Sequence, residues 1–106
     1  MSVEVPFDER FRDALLQGRK QCTSRTRRYG DIGDTFTVFG AGFVFTSVVK
    51  APLAYVAGML YRQEGFSSPE AFIEIWQELH PRKGWNPHQR VWVHWFEKAE
   101  ETAPTR

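Results

Sequence analysis

Lys20, Thr23 and Arg25 fall within a single short run, Gly18-Arg19-Lys20-Gln21-Cys22-Thr23-Ser24-Arg25. Alternate residues of a strand share a face. If Cys22 to Arg25 are extended, Thr23 and Arg25 point one way and Cys22 and Ser24 the other. Lys20, at the glycine turn before the strand, can be aimed toward either side. A lysine beside a hydroxyl can raise its nucleophilicity or stabilise an oxyanion without a metal. Glu64 stands apart from the other carboxylates. It sits at a helix end just before Gly65-Phe66, a sharp junction from which a side chain can project into a cleft. The residues alone also allow plainer readings. Arg19, Lys20, Arg25, Arg27 and Arg28 can form a solvated basic edge, as charge runs usually do, and Glu64 can be a solvated helix-end residue.

Other chemistries find less support. His80, His88 and His94 fall on a helix end, a loop and a strand, with no i, i+4 spacing and no H-E-x-x-H, so no metal site is expected. His94 reads as a strand residue with one hydrogen bond. Gly40 and Gly42 fit a hairpin turn better than a phosphate loop, and no cofactor is expected. The single cysteine, Cys22, permits no intrachain disulfide and fits a reducing, cytoplasmic setting. Acidic and basic residues interrupt the first dozen positions, so no signal peptide is expected. No run of about 18 apolar residues occurs, so no membrane span is expected.

The elements that must position these residues follow from periodicity and breakers. The chain has 106 residues, 42% hydrophobic, which suits one small globular domain over 1–98 with a frayed tail over 99–106. Its net charge is +1, yet five of the 14 Lys and Arg residues lie between Arg19 and Arg28, a local anion-attracting patch. Asp8 can cap a helix running to about Gln17, with Phe11, Ala14 and Leu15 as its apolar stripe and Gly18 as its stop. A strand over Lys20–Arg25 follows. Thr35 to Phe39 and Phe43 to Lys50 alternate around Gly40-Ala41-Gly42 and read as a hairpin. Leu53 to Arg62 reads as a helix broken by Gly65. Ser67-Ser68-Pro69-Glu70 starts another, with Phe72, Ile75, Trp76 and Leu79 at core spacing and Pro81 as its stop. The loop carrying Trp85 reads as a packed connection rather than a lid. Val91 to Phe96 closes the chain as a strand, with Val91, Val93 and Trp95 on one face and Trp92, His94 and Phe96 on the other. Strands and helices are segregated, which predicts an α+β domain: a small, mostly antiparallel sheet or barrel with helices packed on it.

In order along the chain, Phe11, Leu16-x-Gly18-Arg19-Lys20-x-x-Thr23-x-Arg25, Gly33-Asp34 entering a strand, Gln63-Glu64-Gly65-Phe66, Trp76-x-x-Leu79-His80-Pro81 and Val91-x-Val93-x-x-Phe96 together resemble the ASCH domains, small relatives of the PUA fold. The likeness extends over nearly the whole chain and implies a PUA-like β-barrel with about three helices and a cleft between them. Many ASCH domains carry Glu where this chain has Thr23. In that respect it is similar to a small bacterial branch whose members hydrolyse N4-acetylcytidine to cytidine and acetate. The positions that branch uses correspond here to Lys20, Thr23 and Glu64.

The resemblance therefore implies a metal-independent amide hydrolase. Thr23 would be the nucleophile or hold the attacking water, Lys20 would activate it, and Glu64 would carry the proton to the leaving nitrogen. Arg19 and Arg25 would bind a carbonyl or phosphate, and Phe66 or Trp92 would stack on the base. The partner would be a modified nucleoside, or single-stranded or structured RNA. The alternative is a non-catalytic RNA-binding module or an RNA-cleaving relative, with the basic run meeting phosphate.

Overall fold

Residues 1–99 are described by a computed structural model; residues 100–106, nearly all of the expected tail, lie outside the described residues. Four antiparallel strands, β1 (Cys22–Arg25), β2 (Thr35–Val38), β3 (Ala41–Pro52) and β4 (Arg90–Lys98), form one sheet in the order β1-β4-β3-β2. It curls into a half-barrel. Three helices accompany it: α1 (Arg12–Leu16), α2 (Leu53–Met59) and α3 (Pro69–Leu79). This is the small α+β fold expected from the segregated elements.

β4 lies at the centre, and both of its faces are buried. Val91 and Val93 pack with Cys22 of β1, with Leu53, Val56 and Ala57 of α2 and with Phe72 and Trp76 of α3. Phe96, on the opposite face, packs with Val5, Leu15, Phe36, Phe43 and Phe45. The phenylalanines meet edge to face around Phe96, whose ring centroid lies 5.5 Å from those of both Phe36 and Phe43, a favoured aromatic geometry. Burying both faces of β4 explains why its apolar residues do not simply alternate with polar ones.

β3 serves both cores through a bulge. Phe45 pairs with Phe96, but Ser47 pairs with Trp95, so Thr46 is the extra residue. One inserted residue reverses the side-chain parity. Phe43 and Phe45 face the phenylalanine core, and after the bulge that face is taken by Val48.

Several boundaries differ from expectation. The first helix opens as a 3-10 turn over Glu9–Phe11, with Asp8 accepting from the Arg10 N–H as its cap, before α1 begins at Arg12. The hairpin turn lies at Phe39-Gly40, not at Gly40-Ala41-Gly42, because Val38 pairs with Ala41. Both turn residues have positive φ, 52° and 79°, which a two-residue hairpin of matching twist requires. β1 starts at Cys22 rather than Lys20. The Arg19 and Lys20 N–H groups both donate to the Ala14 carbonyl, so Lys20 closes α1. Trp85 packs against the helical core as expected, with its ring 6.3 Å from that of Phe72. No described helix is long and apolar enough to cross a membrane.

Candidate active site

β1 is an edge strand, and a cleft of about 440 Å³ opens along it, between the strand, the N-terminal segment and α3. That size suits a nucleoside-sized ligand. Lys20, Thr23, Ser24 and Arg25 line one wall, and Phe72, Trp76 and His80 line the other. Phe11 and Phe66 also border the cleft, and they meet edge to face at 5.9 Å.

Glu64 reaches this strand because of how α2 ends. After Met59 the chain turns tightly: the Glu64 N–H donates to Leu60, the Gly65 N–H to Arg62 and the Phe66 N–H to Tyr61. Gly65 has φ +99°, and a Cβ there would sit 3.4 Å from the Cβ atoms of both Ala14 and Lys20. The positive φ is what calls for glycine at this turn. The turn is fixed to β1 by the Gln63 carbonyl, which accepts from the Gln21 and Cys22 N–H groups.

The result is a buried cluster. Lys20 and Glu64 are only 3% and 2% exposed. Lys20 Nζ donates to Glu64 Oε1 at 3.0 Å and to the Glu64 main-chain carbonyl at 2.8 Å. Its third hydrogen meets no acceptor among the described residues. The Phe11 and Phe66 rings lie 4.7 and 5.9 Å from Nζ, within cation–π reach. Ser24 Oγ donates to the other carboxylate oxygen, Oε2, at 2.6 Å. Both oxygens of Glu64 therefore face donors.

Thr23 belongs to a second set, on the other face of the strand. Its Oγ1 accepts from Arg25 Nε at 3.1 Å, and Arg25 also donates to the Pro6 carbonyl. The guanidinium is held between the Phe7 and Tyr29 rings, at 4.8 and 5.0 Å. Burial keeps it below the ordinary arginine value, with the Tyr29 hydroxyl opposing that shift. The structure therefore brings Lys20 and Glu64 into direct contact, with Glu64 buried behind the cleft wall that Lys20 and Ser24 line, while Thr23 lines the same cleft and bonds to Arg25 and not to Glu64.

The remaining candidates disperse. Phe66 borders the cleft. Arg19 lies on a shallower groove with Gly18 and Arg62, and its Nε bonds Gln17. Trp92 lies outside the cleft, with Arg28 and Lys50 over its ring at 5.2 and 5.0 Å.

Sequence reasoning missed Ser24 and His80. Strand parity set Ser24 opposite Thr23, but nothing in the sequence indicated that Glu64 would arrive on that side. His80 stacks on Trp76, with ring centroids 3.9 Å apart, and its Nδ1 lies 3.0 Å from the Trp76 carbonyl. A carbonyl only accepts, so Nδ1 carries a hydrogen.

Two other nucleophile candidates are inert. Burial, reinforced by the Glu64 charge, pushes the Cys22 thiol far above its ordinary range, so it offers no thiolate. His94 has more partners than the single hydrogen bond expected. Its Nε2 accepts from the Tyr29 N–H at 3.0 Å, while Nδ1 faces the Thr23 and Trp92 carbonyls. An accepting Nε2 beside a donating Nδ1 defines the neutral imidazole. Burial lowers its pKa, and the nearby Arg25 and Arg28 charges act in the same direction. Among the described residues no three His, Cys, Asp or Glu side chains gather in a way that could hold a metal ion.

No protein-family profile matches the sequence, and no curated protein matches it. Solved structures do match its fold. An ASCH domain from Lactobacillus crispatus JV V101 superposes with a TM-score of 0.67 at 17% identity, over 92% of this chain and 77% of that one. The hypothetical protein PH0355 gives a TM-score of 0.70 at 14% identity, over 93% and 100%. Protein EF3133 from Enterococcus faecalis V583 gives 0.62 at 20% identity, over 92% and 75%. The chain has the same small α+β fold as these structures, the ASCH domain among them.

Proposed function

We propose that the cleft hydrolyses the acyl amide of an acylated nucleoside, with N4-acetylcytidine as the substrate that best fits the Lys20, Thr23 and Glu64 set. The observation that carries this reading is the buried contact of Lys20 Nζ with Glu64 Oε1, behind a nucleoside-sized cleft that Lys20 and Thr23 both line. A buried ion pair is a poor device for stability alone. Set at the wall of an aromatic-lined cleft and joined to the Ser24 hydroxyl, it suits proton transfer.

Hydrolysing an amide of an aromatic amine needs an attacking oxygen, a proton acceptor, donors for the developing oxyanion and a proton for the leaving nitrogen. Glu64 takes the proton from the attacking oxygen and passes it to the amine. Lys20 holds Glu64 in place and offers its remaining hydrogen to the oxyanion. Arg25 orients Thr23 at the reacting carbonyl, and Phe11, Phe66 and Trp76 enclose the base. The activation that the resemblance assigned to Lys20 is here shared with Glu64, since Nζ already faces two acceptors. The test is release of cytidine from N4-acetylcytidine by the purified protein, followed by chromatography; a protein that releases none contradicts the reading.

A second reading, an RNA-binding module, draws on a separate observation. Arg27 lies over the Tyr29 ring at 4.0 Å, and Arg28 and Lys50 flank Trp92. Cations interleaved with aromatic rings suit phosphate and base contacts. This reading predicts salt-sensitive RNA binding that Arg27→Ala and Arg28→Ala weaken and Glu64→Gln leaves unchanged.

A further inference from the structure

The hydroxyl joined to the proton-accepting carboxylate is that of Ser24. Its Oγ lies 2.6 Å from Glu64 Oε2, while Glu64 Oε1 is fixed by Lys20 Nζ at 3.0 Å. Thr23 Oγ1, by contrast, accepts from Arg25 Nε and touches no carboxylate. An activated nucleophile is recognised by a base within hydrogen-bond reach that is itself oriented by a third group. Ser24, Glu64 and Lys20 meet that description in order. Ser24 also lines the cleft, on the wall it shares with Thr23.

We propose that Ser24 is the covalent nucleophile of this site. The inference rests on the amide-hydrolase reading of the cleft. Ser24 Oγ attacks the acyl carbon as its proton moves to Glu64 Oε2. The carbonyl electron pair shifts to oxygen, which faces the remaining Lys20 hydrogen. Collapse of the tetrahedral species breaks the C–N bond, and the amine departs with the proton from Glu64. The acyl group is left as an ester on Ser24. Water then attacks this ester, giving one proton to Glu64. The C–O bond to Ser24 breaks, Oγ recovers the proton, and the carboxylic acid leaves. No oxidant, metal or further reactant enters. The two hydroxyls are thus separated by the strand face they occupy: Ser24 toward Glu64, Thr23 toward Arg25.

The experiment has two arms. In the first, the protein is mixed with p-nitrophenyl acetate, an activated acyl donor that does not depend on nucleoside recognition. The proposal predicts a nitrophenolate burst and a hydroxylamine-labile acetyl ester on Ser24, located by peptide mass spectrometry. Ser24→Ala and Glu64→Gln abolish both, whereas Thr23→Val leaves Ser24 as the labelled residue. An ester on Thr23, or a burst that survives Ser24→Ala, overturns the proposal, and so does the absence of any burst. In the second arm, kcat/KM for N4-acetylcytidine falls at least about a hundredfold in Ser24→Ala; turnover by that variant within a few-fold of the unaltered protein also overturns it. Acylation of Ser24 with no turnover of N4-acetylcytidine refutes the assigned substrate and upholds Ser24. Turnover of N4-acetylcytidine that does not need Ser24 does the reverse.

Discussion

Lys20 Nζ and Glu64 Oε1 meet 3.0 Å apart in the interior, with 2% and 3% of their side-chain surfaces exposed. Two charged groups removed from water are held by a short network. Lys20 also bonds the Glu64 carbonyl, and Ser24 occupies the second carboxylate oxygen. Removing one partner leaves the other buried and unpaired, which costs about 3–5 kcal/mol, whereas replacing both with apolar groups of similar size is often nearly neutral. Lys20→Met alone is therefore expected to lower the urea unfolding free energy by about 3 kcal/mol or more. The Lys20→Met/Glu64→Leu pair should recover most of that loss. A single variant as stable as the unaltered protein would show that the pair is not buried as described.

Gly65 sets the approach of Glu64 to β1. Its φ of +99° is unfavourable for any residue with a Cβ, although that atom would meet Ala14 and Lys20 only at ordinary contact distance. Gly65→Ala is expected to cost about 1–3 kcal/mol. It should also lower turnover, because the carboxylate is displaced from Lys20 and Ser24. Unchanged thermal stability together with unchanged turnover would contradict this role for the turn.

His94 gives the fold a pH dependence separate from the site chemistry. Burial holds its folded-state pKa below the ordinary 6.5. As pH falls below that value, the unfolded chain takes up a proton that the folded chain still refuses. Stability is thus fully present above pH 6.5 and declines as pH falls toward the folded-state value. Urea midpoints measured downward from neutral pH are expected to fall in this window. His94→Gln, less stable at neutral pH, should lack that part of the fall. An identical pH slope in both proteins contradicts the assignment.

Arg25 is expected to resist conservative replacement. Its planar guanidinium sits between Phe7 and Tyr29 while Nε bonds Thr23 and a second nitrogen bonds Pro6. Lysine cannot reproduce the stacked, forked geometry. Arg25→Lys should lower kcat/KM by about tenfold or more, which corresponds to the loss of about one charge-assisted hydrogen bond. Equal activity in the two proteins would show that Thr23 needs no such orientation.

The sequence carried the architecture well where local chemistry decides it. α3 starts where Ser67-Ser68-Pro69-Glu70 suggested, with Pro69 in its first turn, but its cap is Ser68, accepting from the Ala71 N–H, and not a Ser67–Glu70 capping box. The two faces of β4 followed from parity. The Phe39-Gly40 turn did not, because a phenylalanine at positive φ is set by strand register and not by local preference. The site was half legible. Lys20, Thr23 and Glu64 emerged from ordered motifs, and Lys20 and Glu64 do meet. Ser24 was invisible because its role depends on a contact across 40 residues, made by a turn whose direction no local pattern specifies. Trp92 failed as a cleft residue for a similar reason: its strand is central, and its ring lies under Arg28 and Lys50.

The most direct test compares N4-acetylcytidine turnover by the unaltered protein with that by Lys20→Ala, following cytidine and acetate release. The proposed function predicts stoichiometric release of both products by the unaltered protein and a loss of at least about a hundredfold in the variant. No release by the unaltered protein, or full turnover by Lys20→Ala, would contradict it.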